Sequence, residues 1–337
     1  MYKICILWLI FFGIESVYSQ QADFKNIDFS KADNIAKKYK KSKLKKLNKL
    51  TFSLTQNLNS DIEKFRAIYM WVTHNVASDH RLYKKNRRKR KKFANDSVAL
   101  EEWNSKLKTE VFKKLIKRKK TICTGYAYLI KEMCEIAGIE AKIVHGIGKM
   151  SELTEEDFKH PNHSWNIVKI NEKWYLCDAT WGSGISYPEQ GKFVFDYNNG
   201  YFLSDPEIFI LNHYPIFSEQ SLLGENTPTF MEFVEMPLIY GDTYKLVSKH
   251  ILPKKMHHQI QIDESIEFQY ILKEEIDITK VKFILVNNIS ELVRKPKVLK
   301  KENNLSLQLQ FEKRGFYDVH LYFGKKLIAT YTVNVIK

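Results

Sequence analysis

Beyond about Leu223 the hydrophobic period of this 337-residue chain switches from the 3.6 residues of a helix to the two of a strand. No single motif constrains the fold as much. Leu305, Leu307, Leu309 and Phe311 alternate with Ser306, Gln308 and Gln310, and the stretches 265–272, 281–286, 317–323 and 327–335 are patterned alike. Such short alternating runs predict an antiparallel, all-β, immunoglobulin-like sandwich domain over residues 224–337.

Before the switch the period is helical. Ser60 and Glu63 form a capping box, after which Ile62, Phe65, Ile68, Tyr69, Val72 and Val76 share one face, widened by Met70 and Trp71. A weaker helix carrying Val111, Leu115 and Ile116 leads to a second firm one. There Ala127, Leu129, Ile130, Met133, Cys134 and Ala137 recur at helical spacing, and Gly138 suits the left-handed position past the end. Cys123 falls at the N-terminus of that helix. A strand at 141–145, a polar loop through Pro161 and two runs, 163–170 and 173–179, follow; Asn171-Glu172 joins the runs as a tight β-hairpin. Residues 59–223 therefore read as an α+β unit. The Lys-rich segment 20–58, with modest periodicity through Ile35, Tyr39, Leu44 and Leu47, reads as a loosely packed lead-in.

The first residues have the pattern of a secretory signal peptide, 1–19: Lys3, an apolar run over 4–14, and Val17-Tyr18-Ser19 before Gln20. That run is shorter than the roughly 20 residues a spanning helix needs, and no later stretch qualifies, so no transmembrane segment is expected in the mature chain. The expected location is secreted, periplasmic or cell-envelope. Export normally invites disulfides, yet only Cys123, Cys134 and Cys177 remain after the signal. On one helix Cys123 and Cys134 would stand about 16 Å apart, beyond disulfide reach. An unpaired thiol is left to explain.

The formal charge of +15 concentrates in residues 37–49, 84–92 and 113–120. The run 84–92 has no interleaved aromatics on which bases could stack, so nucleic acid is not an expected partner. It reads as a solvated, partly disordered loop within a basic insertion near 84–120, for which anionic envelope polymers or acidic protein substrates are candidate partners. There is no Gly-rich phosphate loop, and His257-His258, His145 and His160 lack metal-ligand spacing; neither cofactor nor metal is expected.

A thiol becomes a good nucleophile as thiolate, which a helix N-terminus and a nearby imidazolium both favour. The hairpin can supply the imidazole. If Ile170 faces Lys173 across the turn, Trp165 faces Asp178 and His163 faces Thr180, so His163 and Asp178 are diagonal neighbours about 7–8 Å apart at the backbone. The same register turns Cys177 to the other face. Asp178 can then orient His163, and His163 can take the proton of Cys123, the base-plus-orienter logic of a triad. The backbone N–H of Cys123 is a natural oxyanion donor, and Trp71 or a nearby Gln is a candidate for a second.

Three local sequences in this order resemble the transglutaminase-like superfamily: Thr121-Ile122-Cys123-Thr124-Gly125-Tyr126-Ala127, then His163-Ser164-Trp165-Asn166, then Trp174-Tyr175-Leu176-Cys177-Asp178-Ala179-Thr180-Trp181-Gly182. Within it, Tyr201-Phe202-Leu203-Ser204-Asp205-Pro206 and His213-Tyr214-Pro215 are similar to the kyphoscoliosis peptidase and hillarin group. The resemblance covers roughly residues 60–223. It implies a papain-like core of helix packed on antiparallel sheet, with Cys123 as nucleophile, His163 as base and Asp178 as orienter. Two departures, Ser78-Asp79 in place of an aromatic-Asp pair and the unusually basic insertion after it, bear on substrate choice. The implied activity is cysteine acyl transfer on amide bonds of proteins or peptides, with water giving a peptidase or amidase and an amine giving a crosslinking transglutaminase. A non-catalytic interaction protein with a vestigial triad is the alternative.

Overall fold

The computed structural model describes residues 20–151, 160–187, 190–287 and 290–337; the expected signal, 1–19, and most of the polar loop before Pro161 lie outside the described residues. Helices α1 (Ser30–Lys38), α2 (Leu47–Thr55) and α3 (Asp61–Asn75) open the chain. The capping box starts α3, with the Ser60 N–H donating to Glu63 Oε2 at 3.1 Å and the Glu63 N–H donating to Ser60 Oγ at 3.4 Å. Ile62, Phe65, Ile68, Tyr69 and Val72 are buried, as the period requires. The lead-in is packed more firmly than its composition suggests. Ala32, Ala36, Leu44, Leu50 and Leu54 join the α3 core while the intervening lysines face solvent, and Arg66 of α3 grips Asp33 through two hydrogen bonds of 2.8 and 3.1 Å.

The basic run expected as a disordered loop is helical. It forms α4 (His80–Lys92), which pairs antiparallel with α5 (Ser97–Arg118). Asp79 caps α4 at the Leu82 N–H and Asp96 caps α5 at the Ala99 N–H, at 3.1 and 2.9 Å. Trp103 of α5 donates to Asn86 at 2.9 Å and lies under the ammonium of Lys85, while Glu110 pairs with Lys85 at 2.7 Å. These partners, far along the chain, offset the like-charge repulsion that a local reading of residues 84–92 sees.

A two-residue parallel pairing, Ala77↔Lys120 and Ser78↔Thr121, ties the segment before α6 (Cys123–Ile136) to the end of α3. There follow β1 (Ala141–Gly148), β2 (His163–Ile170), β3 (Lys173–Cys177), α7 (Ala179–Ser183), the hairpin β4 (Gly184–Tyr187) with β5 (Lys192–Phe195), β6 (Phe202–Ser204), α8 (Pro206–Phe209) and β7 (His213–Pro215). The central antiparallel sheet has the order β6-β3-β2-β1-β7. The β2–β3 register runs from Ile170↔Lys173 to Asn166↔Cys177, and Asn171 and Glu172 have φ of 49° and 61°, the left-handed pair that a two-residue hairpin turn uses. Val168, Ile170, Tyr175 and Cys177 pack towards α3 and α6; Val144, Trp165, Ile167 and Leu176 share a second core with the strands that follow.

After α9 (Phe230–Glu235) and α10 (Gly241–Leu246) come β8 (Val247–Leu252), β9 (His257–Gln261), β10 (Ser265–Leu272), β11 (Val281–Val286), β12 (Glu291–Arg294), β13 (Lys297–Lys301), β14 (Asn304–Gln310), β15 (Gly315–Phe323) and β16 (Lys326–Ile336). One sheet has the order β8-β10-β14-β13; the other runs β16-β15-β11-β12, with β9 parallel to β16. Phe268, Tyr270 and Leu307 of the first meet Phe283, Val319 and Tyr331 of the second. The Tyr317 hydroxyl donates to the carbonyls of Lys313 and Arg314 at 3.1 and 3.2 Å, the tyrosine corner of immunoglobulin-like sandwiches. Val319 stands two residues on, where antibody domains place a cysteine, so packing replaces the disulfide. The architecture is thus the expected one: an α+β papain-like core followed by an immunoglobulin-like sandwich. Among the described residues no helix is long and apolar enough to cross a membrane.

Candidate active site

Cys123 is the first residue of α6, and its N-cap, Ile122, offers no side-chain acceptor to the first-turn N–H groups. Gly125 keeps that turn close to the preceding strand: a Cβ there would meet Thr121 Oγ1 at 1.9 Å. His163 opens β2, buried, with Nε2 2.7 Å from Asp178 Oδ2. Cys123 and His163 line the same cleft, close enough for the imidazole and the Ser164 N–H to act on the thiol. Trp181 stacks on His163 with ring centroids 5.0 Å apart.

The structure brings His163 and Asp178 into contact and places Cys123 on the same cleft as His163, with one difference of detail. Strand pairing stops at Cys177, one residue short of Asp178, because Asp178 leaves the sheet to cap α7: its Oδ1 accepts the N–H groups of Thr180 and Trp181 at 2.7 and 3.2 Å. Cys177 faces the opposite core, as the register required. Trp71 is not available as an oxyanion donor, since its indole N–H is committed to the Tyr39 carbonyl at 2.9 Å.

A fourth group escaped the sequence reading. His213 of β7 places Nε2 3.1 Å from Asp178 Oδ2, so two imidazoles share one carboxylate oxygen. Its ring stacks on Phe209 with centroids 3.8 Å apart, and its Nδ1 lies 3.4 Å from the Tyr244 hydroxyl of α10. The motif His213-Tyr214-Pro215 was its sole sequence signal, and nothing in that motif points to Asp178.

The electrostatics follow from these contacts. Burial alone would raise the Asp178 carboxyl, but the charge and N–H of His163, helped by His213, hold it well below the usual carboxylate range. Burial alone would lower His163; the Asp178 charge and both hydrogen bonds outweigh it and raise the imidazole to about 10. Burial also pushes the Cys123 thiol up, and the hydrogen bond and charge of His163 more than reverse this. His213 is pushed down to about 4 by burial against the pull of Asp178, so it is neutral and donates from Nε2. Burial drives the Cys134 and Cys177 thiols up. Of these three thiols only Cys123 is shifted towards the thiolate.

The ligand atoms of His163, Asp178 and His213 lie within 4.8 Å of one another. The two nitrogens are nevertheless 2.7 and 3.1 Å from the shared oxygen, hydrogen-bond distances. Ligands on a tetrahedral zinc stand roughly 3.3 Å apart, so this cluster fits protons better than a metal. Cys123, His163 and Trp181 open on a cleft of about 550 Å³, lined also by His80 and Tyr83 of α4 and Phe193 of β5.

A family model described as the transglutaminase-like superfamily matches residues 48–179, the span that holds Cys123, His163 and Asp178. The chain is 34% identical over 173 residues to the kyphoscoliosis peptidase of Mus musculus, an alignment covering 50% of this chain and 23% of that protein. The Homo sapiens kyphoscoliosis peptidase is 32% identical over 171 residues, with the same shares of 50% and 23%. Hillarin of Drosophila melanogaster is 25% identical over 228 residues, 63% of this chain and 25% of hillarin. The chain therefore spans about a quarter of the length of these curated relatives.

Proposed function

Because this chain belongs to the transglutaminase-like superfamily through residues 48–179, we propose that it is a cysteine acyl-transfer enzyme acting on amide bonds of proteins or peptides. The observation that carries this reading is the buried His163–Asp178 hydrogen bond on the cleft that Cys123 also lines. In the resting state His163 holds the thiol proton as imidazolium, and Asp178 balances its charge. The Cys123 sulfur attacks the amide carbonyl carbon, and the oxygen takes the negative charge near the N-terminus of α6, where the Cys123 N–H can donate. As the C–N bond breaks, His163 passes its proton to the leaving amine and a thioester remains. Water, losing a proton to His163, attacks the thioester; collapse releases the acid and restores the thiolate.

An amine in place of water would give a crosslink. Hydrolysis is the favoured reading, supported by the peptidase name of two relatives and by the partial exposure of Cys123 at the cleft. The signal-like residues 1–19 support peptides outside the cytoplasm as substrates, which N-terminal sequencing of the mature protein would check. To test the activity, the full chain and a Cys123→Ala variant are incubated with a mixed peptide pool and a fluorescent primary amine. Cys123-dependent cleavage without amine incorporation supports a peptidase, and incorporation supports crosslinking. The interaction-protein alternative gains if neither occurs and alkylation of Cys123 is unchanged in a His163→Ala variant.

A further inference from the structure

The first turn of the lead-in, Gln20–Phe24, is bonded to the β6 edge of the central sheet. The side-chain amide of Gln20 continues the ladder of β3 beside the three-residue β6: Nε2 donates to the Trp174 carbonyl at 3.1 Å, and Oε1 accepts the Leu176 N–H at 2.9 Å. Gln21 donates to the carbonyls of Asn199 and Phe202 at 3.0 and 2.6 Å. Asp23 accepts from Lys173 and from the Tyr175 hydroxyl at 2.6 and 2.8 Å, and Phe24 packs on the Tyr175 ring with centroids 5.2 Å apart.

The backbone nitrogen of Gln20 has a more distant partner: it donates to Asp205 Oδ1 at 2.5 Å. Asp205 directly precedes α8, where an Asp normally caps the first turn, yet its side chain makes no capping bond. The buried carboxylate is turned instead to two remote parts of the chain. Oδ1 takes Gln20, and Oδ2 takes the ammonium of Lys273, just past β10 of the sandwich, at 2.8 Å. The other acids nearby are occupied, Asp23 by Lys173 and Glu207 by Lys249 at 2.7 Å.

Sequence and structure meet here at one peptide bond. The pattern Val17-Tyr18-Ser19 places the end of the signal-like segment immediately before Gln20. Hydrolysis of the Ser19–Gln20 amide leaves a carboxylate on Ser19 and an α-ammonium on Gln20, at the same nitrogen that donates to Asp205. We propose that Ser19–Gln20 is a maturation site and that the new α-ammonium forms an ion pair with Asp205, locking the start of the mature chain onto the β3–β6 edge and the sandwich at once. This rests on the reading of residues 1–19 as a signal and is independent of the acyl-transfer chemistry. The same contacts block a side reaction. An N-terminal Gln ordinarily cyclises: the free amine attacks Cδ, the N–Cδ bond forms, the Cδ–Nε2 bond breaks and ammonia leaves. Here Asp205 holds the amine protonated while Trp174 and Leu176 hold the amide.

To test this, the full gene, residues 1–337, is expressed in a secreting host and the product is read by N-terminal sequencing and intact mass. A chain that begins at Gln20 and keeps its ammonia is expected. Acylation of the Gln20 amine across pH, followed by peptide mass analysis, then reads the ion pair, because pairing raises an α-amine above its ordinary value of about 8 whereas burial alone lowers it. At neutral pH wild type should react about tenfold more slowly than Asp205→Asn, the value of one hydrogen bond to a charged group. Unfolding wild type in urea should restore the ordinary rate, a comparison that holds even if the variant folds poorly. Lys273→Met, which removes the other cation on Asp205, should keep the slow rate. A midpoint at or below the ordinary value, or ammonia lost from the folded chain as fast as from the unfolded one, overturns the ion pair and leaves the signal reading standing. A secreted chain that begins elsewhere overturns the maturation site, and a chain retained in the cell with Met1 in place overturns the signal reading and this site with it.

Discussion

Replacing Asp178 by Asn tests the coupling of all the site residues at once, because the change is isosteric but removes a charge and turns one acceptor into a donor. Oδ1 serves the N–H groups of Thr180 and Trp181, and Asn can keep those bonds. Oδ2 accepts from His163 at 2.7 Å and from His213 at 3.1 Å; an amide NH2 there meets two N–H groups head on. Breaking a buried, hydrogen-bonded charge pair from one side costs about 3–5 kcal/mol. Without the carboxylate, burial wins at His163 and lowers the imidazole, and the Cys123 thiol rises in turn. Amide turnover should drop by about 10²–10⁴, and the pH at which Cys123 becomes alkylated by iodoacetamide should move upward.

Stability against urea carries the complementary signature. The folded Asp178 value is depressed, so its contribution is complete above the usual carboxylate range and is lost as pH falls below it towards the depressed folded value. The folded His163 value is raised, so its contribution is complete below about 6.5 and is lost as pH rises through about 10. Asp178→Asn should flatten both slopes. A variant with the wild-type urea midpoint and the wild-type alkylation profile would refute the claim that this carboxylate holds His163.

Removing the second imidazole with His213→Phe leaves Asp178 to His163 alone, so the basic limb of the rate profile should move to higher pH while turnover falls; His213→Gln, which keeps an N–H donor, should restore the profile. Gly148→Ala places a Cβ 2.9 Å from His163 Cβ and 3.0 Å from its Cγ, so turnover should collapse with little change in far-UV circular dichroism. Tyr317→Phe removes the corner hydroxyl and should cost about 1–2 kcal/mol in thermal unfolding while leaving alkylation of Cys123 unaltered. Chelators should leave Cys123 alkylation unchanged; a loss restored by zinc would show that the His163, Asp178 and His213 cluster holds a metal after all.

What was legible in the sequence rests on near neighbours. The Ser60–Glu63 cap, the Asn171-Glu172 turn with its register, and Cys123 at the head of α6 each depend on a few consecutive residues, so local rules suffice. The alternation of β10, β11, β14 and β15 was equally clear, because one face of each is buried. β13 was not, since Lys-Val-Leu-Lys-Lys lies at a sheet edge and buries too little to leave a pattern.

The sequence alone determined the chemistry available here: a thiol, an imidazole and a carboxylate in an order and spacing that could meet. Tertiary structure decided the rest. Residues 84–92 became a helix because Trp103 and Glu110 lie against them. His213 reached Asp178 from 35 residues away because β7 closes the edge of the central sheet. Such contacts are set by how sheets and helices stack, and that burial balances over the whole core rather than within any window of sequence.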